Sequence, residues 1–477
     1  MAKFEDGRHT SRTRLVVGLS SRSRLYCHDL LLADSASSFV LSIAHEFLSY
    51  ASAGSRCQLR FISLMDLHNF DPLMGSDENY LLEGYEPRNI ERGGRLVAIL
   101  PQQPRAILQM PRGNMEGVSP RALVLRFVMY KITRGEYREA FIMMRCQKVD
   151  LNLIVDMDPF HFLGTGVESF VEQVEAIDHL NLFLSGLQNW DITEARYAIP
   201  SWFREKGDAD LEDNIEAFDF ATKVNQICSK MRALMLDAER DGQTLGGRSI
   251  RQCHFLLPVL STFAREDPPK LIEALGLIKD NALSQHSVLS RKPPLYSDVA
   301  QSSIQSLAFL ADYELIFETA LGMYDFDISR AVARNSQMDP KVYLPLLKRY
   351  ASLPQYYCRY EVDIRLKRYE SALRNLHRSA FEDESMGSVA AVNLEHQGSV
   401  TTTGIGNTFE DCMRLIEEQK QHTLGLQLFQ DRGERHQIML SLSDSLMNEK
   451  RPTTALEILF AVRPIDMERA NRAARAY

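Results

Sequence analysis

Runs of about 18 consecutive apolar residues, the length a membrane-crossing helix needs, do not occur in this sequence. No C-x-x-C pair occurs either, and the seven cysteines (Cys27, Cys57, Cys146, Cys228, Cys253, Cys358, Cys412) are scattered and odd in number. That pattern argues against a disulfide framework and fits free thiols in a reducing compartment. Basic charge is also short: 55 Lys and Arg against 63 Asp and Glu give a formal net charge of -8. A chain that grips phosphate backbones over its whole surface shows the opposite balance, so any nucleic-acid contact here is local.

Catalytic signatures are missing as well. Gly164-Thr165-Gly166, Gly246-Gly247-Arg248 and Gly404-Ile405-Gly406 complete neither a dinucleotide fingerprint nor a phosphate loop, and read as turns. His161 and the pair Cys253-His254 lack partners at metal-ligand spacing, since adjacent side chains on a helix diverge by about 100°. No Ser-His-Asp or Cys-His spacing argues for a nucleophile. The acidic pairs Asp156 and Asp158, and Asp325 and Asp327, read as helix caps, with Asp327 capping Ile328 to Asn335. The expectation is a protein that is no enzyme and needs no cofactor or metal.

What is present is length for several domains, 477 residues, with 45% hydrophobic and 25% charged residues, as in globular proteins. Met1 to Arg24 is rich in Arg and Ser, but Glu5 and Asp6 interrupt it and its longest apolar run is Leu15-Val16-Val17. A targeting segment is not expected there, and the cytoplasm is the default location.

Between Arg24 and Met110 short apolar runs alternate with turn signals: Arg24 to Ala33, Phe39 to Ala44, Phe47 to Ala51, Cys57 to Leu64, Arg95 to Leu100 and Ala106 to Met110. These read as strands, with Ser52-Ala53-Gly54-Ser55 a hairpin turn. About six strands close neither a barrel nor a propeller. The segment is therefore expected to be the tail of a larger β domain.

At Ser119-Pro120 the period changes to that of a helix, with Ser as N-cap and Pro at the first position. Leu123, Phe127, Tyr130 and Lys131 form its predicted face, Arg134-Gly135 its stop, and Tyr137, Ala140, Phe141 and Met144 the next helix. Asp-Pro pairs at Asp158-Pro159, Asp267-Pro268 and Asp339-Pro340 predict further helix starts, the last with Leu344, Leu347 and Ala351 on one face. Three segments share a Tyr or Pro followed three residues later by Ala and then an apolar residue: Glu136 to Phe141, Arg368 to Leu373 and Arg451 to Leu456. Small residues at that place let paired helices approach, as in tetratricopeptide-like repeats. Either as such repeats or as unrelated helix pairs, the expected architecture is an α-solenoid. Arg240 to Arg248, Gln285 to Asp298 and Phe381 to Asn407 interrupt the helices and read as loops, the last as a disordered insertion.

One basic concentration stands out in a predicted helix: Arg359, Arg365, Lys367, Arg368, Arg374 and Arg378, interleaved with Tyr360 and Tyr369 and opposed by Glu361, Asp363 and Glu370. Helical spacing makes Arg365 with Arg368, and Arg374 with Arg378, two local pairs. A solvated surface face is the ordinary use of such charges. Arg365, Lys367, Arg368, Arg374 and Arg378 are the candidate RNA or partner contacts.

Several blocks carry a resemblance: Glu91-Arg92-Gly93-Gly94-Arg95-Leu96-Val97-Ala98-Ile99-Leu100-Pro101-Gln102, Leu108-Gln109-Met110-Pro111-Arg112-Gly113-Asn114-Met115-Glu116 and Pro120 to Leu125. Asp150 to Ile154, Phe162-Leu163, His179 to Phe183, Leu321 to Asp327, Asp339 to Pro345 and Leu366 to Glu370 follow in order. Together they resemble the Elongator scaffold subunit, the IKAP family, over about 350 residues. The resemblance implies a mainly α fold: the C-terminal part of a WD40-type β-propeller over 1–118, then a TPR-like α-solenoid over 119–380. The insertion 381–407 and a truncated continuation of the solenoid over 408–477 complete the expected organisation.

It further implies a non-catalytic scaffold that holds the acetyltransferase-like catalytic subunit and the second propeller subunit, in a complex that modifies wobble uridine in tRNA. By that resemblance tRNA is engaged indirectly, no membrane is involved, and the location is cytoplasmic and also nuclear. The family's homodimerisation and direct tRNA binding belong to a C-terminal region expected to lie beyond this chain, and are not carried over. The runner-up reading is a propeller-plus-solenoid scaffold of the membrane-coat or nuclear-pore kind.

Overall fold

The computed structural model describes residues 15–54, 56–69, 85–197, 218–240, 244–245, 248–249, 254–284, 295, 297–336, 338–386 and 408–476. The chain divides into two compact units, Met1–Pro269 and Lys270–Tyr477.

The first unit begins with three antiparallel meanders. The first is β1 (Val17–Leu19), β2 (Leu25–Cys27) and β3 (Leu30–Ala33). β4 (Ala36–Ser42), β5 (Phe47–Ser52), β6 (Gln58–Ser63) and β7 (Arg88–Asn89) form the second. The third is β8 (Arg95–Ile99), β9 (Ala106–Gln109) and β10 (Met115–Val118). Short helix α1 (Leu64–Asn69) follows β6. The run Arg24 to Ala33 is thus two strands, parted at His28, whose φ of 50° turns the chain; β1, β7 and β10 lay outside the expected runs.

Successive residues of a strand face opposite sides, so a strand buried on both sides is mainly apolar on each. β5 is such a strand, with Ser49 the one polar residue in its fully buried stretch Phe47 to Ala51. Its Phe47 and Ala51 join Leu59, Phe61, Leu96, Ile99, Ala106 and Leu108 in one core, while Leu48 and Tyr50 join Leu25, Cys27, Ala36, Ile62 and Leu64 in another. The middle meander is therefore covered on both faces by its neighbours, the arrangement of adjacent propeller blades. Polar links reinforce it: the Leu96 amide donates to Ser38 Oγ at 2.7 Å, and His45 Nε2 lies 2.9 Å from the Leu100 carbonyl.

Helices follow: α2 (Arg121–Thr133), α3 (Tyr137–Gln147), α4 (Leu153–Asp156), α5 (Pro159–His161), α6 (Val167–Gln173), α7 (Ile177–Gly186), α8 (Ile192–Ala195), α9 (Lys223–Arg240) and α10 (Leu256–Arg265). Pro120, not Ser119, is the N-cap of α2, and no side chain caps it. The expected face of α2 is shifted: Leu123 is buried, but Tyr130 is exposed, and Val128, Met129 and Ile132 turn inward instead. Ala122 and Leu123 are part of the β core, so the first helix is seated in the last sheet. On α3 the expected Tyr137, Ala140, Phe141 and Met144 are all buried.

Gly164 to Gly166 is not a turn but part of a π-helical segment, Phe162–Gly166, that joins α5 to α6. A Cβ at Gly166 would lie 2.6 Å from the Tyr137 hydroxyl, so the glycine serves close approach. In the stretch read as a loop near 240–248, Thr244–Leu245 pairs with Arg248–Ser249 as a two-stranded ribbon.

The second unit holds α11 (Leu271–Ser284), α12 (Asp298–Leu310), α13 (Tyr313–Gly322), α14 (Phe326–Asn335), α15 (Pro340–Ser352), α16 (Gln355–Arg365) and α17 (Tyr369–Met386). After them come α18 (Thr408–Gln419), α19 (His422–Leu428), α20 (Arg432–Asn448), α21 (Pro452–Ala461) and α22 (Met467–Ala476). Asp339 caps α15 with Pro340 at its first position, as expected, whereas the helix after Asp267-Pro268 starts only at Leu271. The buried face of α15 is Tyr343, Leu347 and Tyr350; Leu344 and Ala351 are exposed. The helix α17 runs to Met386, into the segment read as an insertion, and 387–407 lies outside the described residues. The same holds for Met1 to Arg14, Ser55, Gly246-Gly247, Cys253, 285–294 and Gly404 to Gly406.

One turn recurs through both units. A left-handed residue, at Gly135, Tyr324, Lys367, Lys420 and Lys450 (φ 69°, 56°, 57°, 54° and 62°), ends one helix of each pair, and the next helix starts two residues later. In four of the five, the amide after it returns to the carbonyl five residues back: Glu136 to Lys131, Arg368 to Asp363, Gln421 to Ile416 and Arg451 to Leu446, at 2.8–3.0 Å. This is Schellman geometry, which satisfies carbonyls left over at the helix end. Five residues after each left-handed residue stands a small, buried one: Ala140, Ser329, Ala372, Gly425 and Ala455. The three Ala-bearing segments noticed in the sequence are thus equivalent, and two more with Ser or Gly escape a search for Ala.

Candidate functional site

The basic residues do not lie on one helix. Lys367, with φ of 57°, turns the chain between α16 and α17, so Arg365 ends one helix and Arg368 precedes the next. The predicted Arg365 and Arg368 pair is therefore not formed on a shared face. Arg374 and Arg378 do share a face of α17, one turn apart, and both are exposed.

Beneath this hairpin lies a polar cluster. Asp363 is fully buried, and accepts hydrogen bonds from the Tyr324 hydroxyl at 2.7 and 2.8 Å and from Asn375 Nδ2 at 2.8 Å. Tyr324 reaches it because the left-handed turn after α13 projects the ring toward the next hairpin. Burial, and then the neighbouring Asp363, push the Tyr324 phenol up. Arg359 stacks on the Tyr324 ring at 5.1 Å and lies 5.6 Å from the centre of Tyr356. Arg368 Nη1 donates back to the Gly322 carbonyl at 3.3 Å, so consecutive turns of the array are tied in both directions.

These contacts sort the candidates. Arg368 is engaged by Gly322, and the Arg365 charge acts on the buried Tyr350 phenol, pulling it down against burial. Lys367 is exposed at the turn. Arg378 lies 5.9 Å from the Tyr356 ring centre, on the same ring as Arg359. Sequence reasoning missed Tyr324 and Tyr356 as organisers and took Asp363 for a surface counter-charge. The spacing alone gives no signal for it: Asp363 lies four residues after Arg359 on the same side of α16, and what buries it, Tyr324 and Asn375, comes from outside that helix.

The acidic pairs also resolve. Asp158 caps α5, and Asp325, not Asp327, caps α14 by accepting from the Asp327 and Ile328 amides. Burial works against the Asp325 charge, but Lys279 and those amides outweigh it and hold its carboxyl below the usual range. Asp156 is no cap: it is buried with Lys223 Nζ at 2.8 Å, and also accepts from the Ile192 amide at 3.0 Å. Burial pushes its carboxyl up to about 6, with the amide and Lys223 pulling the other way. The Lys223 ammonium is completed by the Trp190 carbonyl at 2.6 Å.

Among the described residues no cluster of three His, Cys, Asp or Glu side chains is placed to hold a metal ion. Cys27, Cys228, Cys358 and Cys412 are buried free thiols, and burial pushes Cys228 and Cys412 up to about 12. No described helix is long and apolar enough to cross a membrane.

Two family models match, one described as the ELP1 alpha-solenoid over residues 121–350 and one as the ELP1 N-terminal second beta-propeller over residues 2–97. The boundary between them brackets β9 and β10, where the strands give way to α2. Curated relatives agree: Elongator complex protein 1 of Arabidopsis thaliana is 31% identical over 453 residues, 92% of this chain. The chain belongs to the Elongator complex protein 1 family. The rabbit (Oryctolagus cuniculus) Elongator complex protein 1 is 28% identical over 91% of the chain, and that of Saccharomyces cerevisiae 27% over 92%. The chain spans 28% to 31% of the length of these three relatives. The Elongator solenoid match ends at residue 350, so the α16–α17 hairpin follows it directly.

Proposed function

We propose that this chain is part of a non-catalytic scaffold subunit of the Elongator complex, holding the acetyltransferase-like catalytic subunit and the second propeller subunit in register while wobble uridine in tRNA is modified. In this reading residues 1–118 are the end of the propeller, 119–380 and 408–477 are TPR-like solenoid, and the assembly works in the cytoplasm and the nucleus.

The observation that carries it is the join between the strands and the first helix. Ala122 and Leu123 are buried in the same core as Phe47, Phe61 and Leu96, and Arg126 of α2 forms an ion pair with Glu46 in the β4–β5 turn. A scaffold must transmit position, and a helix seated in a sheet core has no hinge at its base. The membership in the family supplies the assembly in which that rigidity is useful.

Affinity capture of this chain from its own cells, with mass spectrometry of what is recovered, tests the reading. Recovery of the catalytic and propeller subunits of Elongator is the expected result. Recovery of coat or pore components in their place would overturn it.

A further inference from the structure

Between residues 355 and 379 the chain carries six cationic side chains and three carboxylates. Folding changes that balance at the surface. Asp363 is withdrawn completely into the Tyr324 and Asn375 cluster, and Glu361 is taken by Arg349 at 2.8 Å. On the cationic side Arg368 is spent on Gly322, and the Arg365 charge is directed at the buried Tyr350 phenol. Arg359, Lys367, Arg374 and Arg378 remain, Lys367 at the turn between the helices, and of the three carboxylates Glu370 stays exposed, one turn before Arg374. Among the described residues none of the three arginines forms an ion pair with a carboxylate.

Their placement is specific. Arg359 and Arg378 come from different helices to the one Tyr356 ring, at 5.6 and 5.9 Å from its centre, and Arg374 stands one turn before Arg378 on the same face. Two guanidinium groups near one ring repel each other, and the ring's attraction for each holds them there. An anion beside the pair relieves that repulsion. All three are arginine, whose planar fork matches phosphate oxygens two at a time and is less strongly hydrated than an ammonium group.

We propose that Arg359, Arg374 and Arg378, aligned by Tyr356, form a contact for the phosphate backbone of RNA. The choice of RNA over an acidic protein segment rests on the reading above, in which the assembly acts on tRNA. The contact is local, as the net charge of -8 requires, and independent of base sequence.

The test is a fluorescence-anisotropy titration of labelled tRNA transcript with the full chain, repeated across a range of salt. The double variant Arg374→Gln/Arg378→Gln is expected to bind about tenfold more weakly at low salt, with a salt slope shallower by about 1.5 to 2. A charge-matched control, Arg432→Gln/Arg435→Gln, alters two exposed arginines of α20 and is expected to bind as the unaltered chain does. All four positions are exposed, and a thermal melt by circular dichroism checks that both variants fold.

The proposal is overturned by absence of RNA binding to the unaltered chain, by equal losses in the two double variants, or by a polyglutamate peptide displacing RNA as well as unlabelled RNA does. Affinity capture with the Arg374→Gln/Arg378→Gln chain separates the two readings. Elongator subunits recovered by a chain that has lost RNA binding support both. RNA binding without recovery of those subunits sinks the scaffold alone.

Discussion

Asp156 and Lys223 are both fully buried, and a buried pair is held at a desolvation cost that its mutual attraction only partly repays. Because burial raises the Asp156 carboxyl from 3.8 to about 6, the folded protein holds that proton more tightly than the unfolded chain does. The group's contribution to stability is therefore greatest below pH 3.8 and declines as pH rises through about 6. Urea unfolding of the protein and of Asp156→Asn should show the difference in stability falling by about 2–3 kcal/mol from pH 4 to pH 7, then levelling. A difference that rises with pH would mean that attraction to Lys223 outweighs burial. Asp363 gives a second expectation: Asp363→Ala leaves Tyr324 and Asn375 without their acceptor and should cost about 3 kcal/mol in denaturant unfolding, against about 1 for Tyr324→Phe. Sequence could place Asp158 and the Asp325-Asp327 pair at helix starts, because a cap is a local device. It could not separate Asp156 from them, since the partner that buries it is 67 residues away.

At the level of elements, the recurring left-handed turn decides how closely paired helices lie. The alpha-helical spacing after each turn brings position five to the crossing, where Ala140, Ser329, Ala372, Gly425 and Ala455 are buried. A longer side chain there has no space to enter: at Gly425 even a Cβ would come within 2.7 Å of Ile416 Cδ1. Ala372→Leu should therefore lower stability by about 1–3 kcal/mol, measured by chemical unfolding, whereas Ala351→Leu on the exposed side of α15 should change it little. Equal effects would remove the crossing from the account. The strands illustrate the opposite degree of legibility. β5 was readable because burial on both faces keeps it mainly apolar, with Ser49 alone interrupting Phe47 to Ala51, while β7, two exposed residues long, and β10, largely exposed, carry no hydrophobic pattern to read.

For the molecule as a whole, the proposed scaffold role depends on whether strands and helices of the first unit open together. Arg126 is 9% exposed and bridges α2 to Glu46 at the left-handed end of the β4–β5 turn, while Ala122 and Leu123 are locked in the sheet core beside it. Breaking one half of such a pair strands the other charge against a largely apolar surface, a loss of about 3–5 kcal/mol where both groups are buried and less here, where Glu46 is 30% exposed. If the join is one cooperative element, Arg126→Ala should reduce hydrogen-exchange protection in β5 and in α2 by the same free energy. Protection lost in α2 alone, with β5 unchanged, would show a hinge where rigidity is claimed. A hinged join fails to hold a catalytic partner in register however well the chain binds it, so this exchange measurement bears on the mechanism of the scaffold and affinity capture on its membership.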